Sequence, residues 1–411
     1  SRKTNTLKIA SFLSDSHNLI NILDETNNFN LDVTSLCMNM VQEYDSSRRT
    51  GLQGITLKDG DVFTFTTDEI VGNEKNVSVS YKKLQKEMKP GDRILVNNGL
   101  VIFEVNHIEG NNIICDVITG GVLSNKKSMS FPNIVLKQKY LSDQDKKDLL
   151  LGIENDVDFV AASFVSTKED IKSVRDFLDN NGGADINIIA KIENRAGVDN
   201  IDEICEIADG IMVARGDLGV EIPFVEVPSV QKYLIKKCRL LGKRVITATE
   251  MLESMCSSPR PTRAEISDVA NAVYDGSSAV MLSGETAAGK YPVEAVKNMA
   301  EICEYTEKNI DYVGRFKKAD FIIKNTIDAV SHATCAMAID VGAKVIVANS
   351  ISGRTVRMVS RFRCPCDIVG TTTNAKVWRQ LNLSWGVLPV LSEEYQSIDV
   401  LFYYGLQCAK E

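Results

Sequence analysis

The feature that most constrains the fold is a regular alternation of short apolar runs and amphipathic segments between residues 151 and about 300. The apolar runs begin at 157, 186, 210, 244 and 278, and helical patterns such as 168–178 and 227–241 lie between them. Parallel strands need crossover connections, so this order predicts a parallel sheet covered by helices. We expect a (β/α)8 barrel of the TIM type. A doubly wound sheet is the alternative, but no GxGxxG turn follows a first strand.

The regions on either side of this alternation have different patterns. Residues 52 to about 135 alternate polar and apolar positions with period two and carry turn signals at 98–99 and 109–112. This pattern predicts a small β-barrel domain inserted into the α/β domain. After about 316, helices and strands alternate again, which predicts a separate α/β domain. We therefore assign 1–51 to the first part of the barrel, 52–135 to the inserted β domain, 136–315 to the remainder of the barrel with the active site, and 316–411 to a C-terminal α/β domain.

The composition argues against several classes of function. The 411 residues carry a net charge of −8 and no Lys/Arg block, which argues against a nucleic-acid or membrane-surface protein. No apolar run is long enough to span a bilayer, and no signal-peptide core follows Ser1. The ten cysteines form no CxxC pair, and there are only three histidines. We therefore expect reduced thiols, a cytoplasmic protein and no His-rich metal site.

Three polar motifs stand at the ends of apolar runs in the alternating region: IAKIEN at 189–194, VARGDLG at 213–219 and TATEM at 247–251. The carboxyl ends of barrel strands meet at one edge, so Lys191, Glu193 and Asp217 are expected to lie together. A divalent metal between two carboxylates, with an ammonium beside it, suits phosphoryl transfer on a small anion. Taken singly, a Lys at a strand end is more often a surface residue, and Glu193 more often a helix N-terminal carboxylate.

Longer strings point to a family. They read MVARGDLGVEIP at 212–223, PRPTRAE at 259–265, DVANA at 268–272 and VMLSGETAAG at 280–289. With the KIEN string and the order of barrel, inserted β domain and C-terminal α/β domain, they resemble the pyruvate kinase family. The resemblance is continuous from about residue 52 to about residue 391. It implies transfer of phosphate from phosphoenolpyruvate to ADP, giving pyruvate and ATP.

The resemblance also implies roles for individual residues. Lys191 would stabilise the enolate oxygen, while Glu193 and Asp217 would hold Mg²⁺ or Mn²⁺. The backbone of Ala214, Arg215 and Gly216, with Asp217, would receive the substrate carboxylate near a helix N-terminus. Thr249 would bind substrate and lie on the proton path to the enolate.

Other residues match less central parts of the family pattern. Arg49 matches the catalytic Arg that closes a family motif, and Lys127 lies on the nucleotide or phosphate side. Five residues resemble half of a sugar-phosphate effector site: Ser350, Ser352, Gly353, Arg354 and Thr355. A capped helix start with no ligand is an equally good interpretation of this last segment.

The first 51 residues depart from the family pattern. Ser35 stands where the family has an Arg that contacts the transferring phosphoryl group, and Met40 stands at a His. Cys37 and Asn39 replace residues that help bind K⁺, so the K⁺ site that the family uses is expected to be degraded. The family's third barrel strand has no counterpart between 44 and 49. Three alternatives stay open: a substitute strand completes the barrel, the barrel is open at this place, or the sequence lacks residues there. The C-terminal domain is expected to be truncated.

Two hypotheses of function follow. The first is an active enzyme of the pyruvate kinase type, with phosphoenolpyruvate, pyruvate, ADP and ATP as its partners. The second is a catalytically impaired paralogue that binds Mg²⁺ and a small anion, or a partner subunit, without turnover. The resemblance further implies a homo-oligomer, a tetramer in the family.

Overall fold

The computed structural model describes residues 54–410 except 98, 125, 126, 128, 133, 135 and 138, together with the backbone of 8–11 and 37–40. The strands are β1 Lys8–Ser11, β2 Cys37–Met40, β3 Ile55–Leu57, β4 Val62–Thr66, β5 Asn76–Ser78, β6 Arg93–Val96, β7 Val101–Glu109, β8 Asn112–Thr119, β9 Gly121–Leu123, β10 Met129–Ser130, β11 Phe159–Ala162, β12 Asn187–Ile192, β13 Gly210–Ala214, β14 Arg244–Ala248, β15 Ala279–Leu282, β16 Val345–Asn349, β17 Asp367–Thr372 and β18 Val387–Leu391.

The helices are α1 Asp143–Glu154, α2 Lys168–Asn180, α3 Arg195–Asp199, α4 Ile201–Ile207, α5 Arg215–Glu221, α6 Val227–Leu241, α7 Arg263–Asp275, α8 Gly284–Ala287, α9 Pro292–Lys308, α10 Tyr312–Lys318, α11 Thr326–Asp340, α12 Arg354–Ser360, α13 Ala375–Leu381 and α14 Ile398–Lys410. Short 3-10 turns lie at Leu84–Lys86, Phe224–Glu226 and Glu253–Cys256. Three of the barrel helices begin with a capping box, formed by Ser142 with Asp145, Thr167 with Asp170 and Thr262 with Glu265.

The largest sheet is parallel and has the order β1-β15-β14-β13-β12-β11-β2. Its five strands β11 to β15 confirm the predicted βα units, and each is followed by a helix or a short helical turn. Strands β13, β14 and β15 are buried at every position, which explains why they read as continuous apolar runs rather than as alternating ones. Within the described residues, β1 and β2 take the two ends of this order, and pairing between them is not observed.

The two faces of this sheet belong to two different cores. One set of alternating side chains, among them Phe159, Ile189, Met212 and Ile246, packs together on the inside of the sheet. The other set packs with the helices outside, in a cluster that includes Val160, Ile188, Ile211 and Val245. An interior filled by side chains from five successive strands, with helices outside, is the arrangement of a barrel rather than of a flat doubly wound sheet.

The region after the first barrel strands forms an all-β unit. Its main sheet has the order β10-β6-β7-β8-β4-β5, and β3 pairs with β9 beside it. The period-two pattern of β7 buries Val101, Phe103 and Val105 in the core of this unit. The rings of Phe65 and Phe103 lie 4.9 Å apart between their centroids, edge to face. Gly110, with a φ of 59°, forms the tight turn between β7 and β8 that the sequence predicted.

The C-terminal residues form a three-stranded parallel sheet, β16-β17-β18, covered by helices. This unit is tied to the barrel by charged side chains of α13. Lys376 Nζ lies 2.8 Å from Asp156 and 3.1 Å from Asp185, and Arg379 Nε lies 2.8 Å from the buried Asp158. Within the part of the chain that the structure describes, no helix has both the length and the apolarity needed to cross a membrane.

Candidate active site

Lys191 lies near the carboxyl end of β12, where three polar groups meet. Its Nζ atom donates a hydrogen bond to Ser163 Oγ at 3.0 Å and lies 2.8 Å from Glu193 Oε1. Ser163 directly follows β11, the neighbouring strand, and is almost fully buried. Because β11 and β12 are parallel and in register, their ends bring these groups together. The ammonium is therefore held in one place by two partners.

Glu193 is completely buried. Its Oε2 accepts a hydrogen bond from the backbone N–H of Phe164, while Oε1 has the Lys191 ammonium as ion-pair partner but no hydrogen bond of regular geometry. Burial raises the pKa of this carboxyl, the charge of Lys191 opposes the rise, and the nearby charge of Asp217 adds to it. The charge of Lys191 therefore does not fully offset the effect of burial on this carboxylate.

Asp217 reaches the same place from the next strand. It lies in the first turn of α5, which begins directly after β13. It forms no hydrogen bond or ion pair with the residues that the structure describes, and it repels both Glu193 and Glu221. Burial raises the pKa of Glu221 to about 7, although Ser130 and the Phe131 backbone hydrogen-bond its carboxylate. Three acidic groups therefore share one region beside a single ammonium.

The third motif supplies a strained turn after β14. Thr249 and Glu250 have left-handed φ angles of 68° and 54°. Thr249 Oγ1 accepts a hydrogen bond from the Gly216 N–H at 2.7 Å and donates to the Ala248 carbonyl at 2.7 Å. Backbone strain of this kind persists only where surrounding contacts fix it.

Arg215 provides those contacts. Its Nη2 donates to the Thr249 carbonyl at 2.6 Å and its Nε to the Ala248 carbonyl at 3.2 Å, while Nη1 pairs with Asp268 at 2.7 Å. A planar guanidinium can make this fan of bonds, and an ammonium cannot. Arg215 is therefore occupied in holding the Thr249 turn against α5.

The available oxygen ligands suit a divalent cation whose remaining coordination positions would be filled by substrate. Among the described residues, no group of three or more His, Cys, Asp or Glu side chains is arranged to hold a metal. Glu193 and Asp217 nevertheless offer oxygens without regular hydrogen bonds, and their mutual repulsion would be relieved by a cation. Mg²⁺ is commonly bound by one or two carboxylates, with the remaining positions filled by water and substrate oxygens. The residues present therefore fit Mg²⁺.

The structure thus brings together Lys191, Glu193, Ala214, Arg215, Gly216, Asp217 and Thr249 at one edge of the sheet. Lys127 lies apart from them in sequence, half-buried between β9 and β10. The predicted effector residues 350–355 span the loop after β16 and the start of α12, and Gly353, with a φ of 70°, is the cap residue that directly precedes this helix. Arg49 and Ser35 lie outside the described residues. Of Cys37, Asn39 and Met40, the structure describes only the backbone, in β2.

Sequence reasoning missed three residues of this site: Ser163, Phe164 and Glu221. Ser163 and Phe164 follow β11 directly, so their place at the carboxyl end of a barrel strand was the signal that could have found them. Glu221 belongs to the string at 212–223, but its burial depends on contacts with Ser130 and Phe131, about 90 residues earlier. Nothing local in the sequence indicates that contact.

Comparison with known families agrees with this architecture. The description "Pyruvate kinase, barrel domain" matches residues 41–296, and "Pyruvate kinase, alpha/beta domain" matches residues 328–411. The chain is 46% identical over 360 residues to a pyruvate kinase of Clostridium acetobutylicum, which covers 87% of this chain and 76% of the relative. It is 45% identical over 359 residues to a pyruvate kinase of Clostridium perfringens, with 86% and 76% covered.

A solved structure gives the same result. The crystal structure of a pyruvate kinase from Cryptosporidium parvum superposes with a TM-score of 0.89 at 32% sequence identity, covering 98% of this chain and 90% of that chain. Fold and site together define an α/β-barrel phosphotransferase with an inserted β domain and a C-terminal α/β domain. The chain belongs to the pyruvate kinase family, so the predicted fold class and family resemblance are confirmed.

Proposed function

We propose that this chain transfers the phosphoryl group of phosphoenolpyruvate to ADP, giving pyruvate and ATP, with Mg²⁺ or Mn²⁺ held by Glu193 and Asp217. Relatives of 45–46% identity that are named pyruvate kinase support pyruvate kinase activity, a phosphotransferase step of glycolysis. One observation supports these residue roles above others. The Lys191 ammonium is fixed between Ser163 and Glu193, and Glu193 interacts electrostatically with Asp217.

Lys191 is suited to stabilise the enolate. When the phosphoryl group leaves phosphoenolpyruvate, negative charge develops on the enolate oxygen. An ammonium already fixed by Ser163 and Glu193 can face that charge without reorganising during the reaction. A divalent cation bound by Glu193 and Asp217 would neutralise charge on the phosphoryl and enolate oxygens. Transfer then depends mainly on positioning and charge neutralisation, which this site can supply.

Thr249 is suited to act on the carbon of the enolate. Its hydroxyl group is oriented by the Gly216 N–H and the Ala248 carbonyl, and the Arg215 clamp fixes its backbone. We assign Thr249 to the path along which a proton reaches the enolate carbon and forms the methyl group of pyruvate. A substrate carboxylate near residues 214–216 would compete with Thr249 Oγ1 for the Gly216 N–H. Substrate binding and the orientation of this hydroxyl are therefore linked.

An assay of turnover tests this proposal. The full chain is incubated with phosphoenolpyruvate, ADP, Mg²⁺ and K⁺, and pyruvate is measured through lactate dehydrogenase and NADH. We expect turnover that is lost in Lys191→Met and kept in Lys236→Met, a change at an exposed position of α6. Turnover at the parent rate in Lys191→Met would remove Lys191 from the mechanism. Omitting K⁺ measures whether the altered residues near β2 still support the K⁺ dependence that is general in the family.

The second hypothesis, a binder without turnover, makes a different prediction for the same protein. Calorimetry would then show Mg²⁺-dependent binding of phosphoenolpyruvate, while the coupled assay shows no pyruvate. The homotetramer implied by the family, and the effector role of residues 350–355, also stay predictions. Light scattering measures the first, and activation by a sugar phosphate in the coupled assay measures the second.

A further inference from the structure

A strongly basic cleft lies at the opposite end of the barrel from the catalytic residues. It is formed by the C-terminal end of α6, the start of β14, the residue before β15 and the segment from α12 to β18. Arg244 begins β14 at this cleft, whereas Thr249 follows the other end of the same strand. The cleft is therefore a separate place from the phosphoenolpyruvate site.

Six cationic side chains line this cleft, which we call the basic cleft: Arg239, Lys243, Arg244, Arg357, Arg361 and Arg363. No carboxylate is among its lining residues. Arg361 pairs with Asp328 at 3.1 Å. Arg239, Arg357 and Arg363 make no ion pair with any residue in the described part of the chain. Like charges gathered in this way are costly unless something neutralises them.

Several buried donors in the basic cleft lack an acceptor. The Nε atoms of Arg239, Arg361 and Arg363 and the Oγ atom of Ser384 are shielded from solvent and have no hydrogen-bond partner among the described residues. Arg361 and Arg363 are each only 7% exposed, and Ser384 is 3% exposed. A buried donor left unsatisfied costs free energy, and a charged one costs more. Unsatisfied donors on residues that line one cleft favour a ligand that accepts hydrogen bonds.

The electrostatics of the cleft favour a negatively charged ligand. Burial, with repulsion from Arg239, lowers the pKa of Arg363 to about 9. Burial is also the main cause that lowers the pKa of Arg239, Arg357 and Arg361. Two carboxylates outside the cleft oppose this lowering, Glu307 for the pKa of Arg363 and Asp209 for the pKa of Arg357. Neither carboxylate lies within ion-pair distance of its Arg. The cations are thus only partly compensated.

We propose that the basic cleft binds a tetrahedral oxyanion of the phosphate class, either free phosphate or the phosphoryl group of a small metabolite. The space that the cleft encloses is about 20 Å³, enough only for a very small group, and it is partly open to solvent. Pockets for drug-sized ligands usually exceed this size, so a small anion fits better than a nucleotide. Guanidinium groups match phosphate oxygens with paired, charge-assisted hydrogen bonds. The anion would join α6 of the barrel to α12 of the C-terminal unit.

Trp385 offers a readout that is specific to this place. It lines the basic cleft, and the Arg363 guanidinium lies 4.8 Å from its ring centroid. The chain has two tryptophans. Trp378→Phe therefore leaves Trp385 as the only tryptophan, so that fluorescence reports the basic cleft and not the catalytic site.

Titration of the full chain carrying Trp378→Phe tests the proposal. Inorganic phosphate is the first ligand, glycerol phosphate is the second, and chloride at equal ionic strength is the control. We expect saturable quenching or enhancement with phosphate, and a dissociation constant at least about tenfold higher in Arg239→Gln. Lys236→Gln, which removes an exposed positive charge from the same helix, should bind as the parent does. Arg357→Gln repeats the test if Arg239→Gln fails to fold.

The outcomes separate the sources of the anion. Tighter binding of glycerol phosphate than of phosphate assigns the site to a metabolite, and the reverse assigns it to free phosphate. Equal responses to phosphate and chloride, or equal affinity for phosphate in Arg239→Gln, Arg357→Gln and Lys236→Gln, would overturn the proposal. Ordered water would then be what satisfies the buried donors. Because the readout is binding at Trp385, the result does not depend on turnover at the catalytic site.

Discussion

The Lys191 ammonium and the Glu193 carboxylate lie 2.8 Å apart, and one residue separates them in the chain. Residues two apart on an extended strand point to the same side, so the end of β12 places both groups in the site. In this ion pair, Oε1 of the buried Glu193 has no hydrogen bond of regular geometry, while the Lys191 ammonium also donates to Ser163. This relationship links the metal-binding and enolate-stabilising roles that we propose, because each charge helps to set the other.

The first prediction concerns the divalent cation. Glu193→Gln and Asp217→Asn each remove one negative oxygen, so the Mn²⁺ dissociation constant measured by electron paramagnetic resonance should rise at least about tenfold. Glu203→Gln, at an exposed position of α4, serves as the control and should leave Mn²⁺ binding unchanged. Parent-like binding in both site variants would show that the cation is held elsewhere.

Thr249 leads to a prediction that separates hydroxyl chemistry from packing. Thr249→Ser keeps the oxygen that accepts from Gly216 and donates to Ala248, whereas Thr249→Val replaces it with a methyl group of similar size. We expect kcat to fall about 10²-fold in Thr249→Val and less than about tenfold in Thr249→Ser, as for loss of a proton-transfer group. Steady-state kinetics measure both. Similar losses in the two variants would indicate a steric role instead.

The ion pairs of α13 predict a contribution to stability. Arg379 contacts Asp158, which is only 2% exposed and whose pKa is raised by burial to about 6 despite this partner. Arg379→Met would leave that carboxylate buried without its main compensating charge. The free energy of unfolding in urea at pH 8 should fall by about 3 kcal/mol.

The surface pair of Lys172 and Asp176 provides the control for this measurement. Both side chains are more than half exposed, so Lys172→Met should change the free energy of unfolding by less than about 0.5 kcal/mol. Adding Asp158→Asn to Arg379→Met should recover part of the loss, because no charge then remains buried. Equal effects of Arg379→Met and Lys172→Met would contradict the interpretation.

Glu307 predicts how stability depends on pH. Burial raises its pKa from 4.5 to about 8 in the folded protein, with Arg363 opposing the rise. A raised folded pKa means that the folded state holds the proton more tightly, so this contribution to stability is complete below pH 4.5 and is lost as pH rises through 8. Glu307→Gln should therefore be more stable than the parent at pH 9, by on the order of 3 kcal/mol.

The same helix supplies the control for Glu307. Glu304 lies on α9 three residues earlier and is exposed. Glu304→Gln should leave the dependence of the free energy of unfolding on pH nearly unchanged between pH 5 and 9. If Glu307→Gln and the parent show the same pH dependence, Glu307 does not hold its proton through this range.

Much of the fold could be predicted because its signals are local. The helix predicted at 227–241 is observed at Val227–Leu241, and the apolar run that begins at 244 is observed as the strand Arg244–Ala248. The catalytic motifs could be placed for a similar reason, since each follows a buried apolar strand and parallel strands end at one edge. The sequence did not decide how the first 51 residues complete the barrel. For this region, the structure adds that β2 pairs with β11 in parallel.

By itself, the sequence determined the order of strands and helices, the family and the residues that stand at the carboxyl ends of the barrel strands. Only the tertiary structure decided the partners of those residues: Ser163 beside Lys191, and Ser130 beside Glu221. It also decided that Arg239 and Arg363, far apart in the chain, line one basic cleft. Periodicity and motifs depend on neighbouring residues. Burial, charge repulsion and unsatisfied hydrogen bonds depend on which distant segments pack together, and packing exists only in the folded chain.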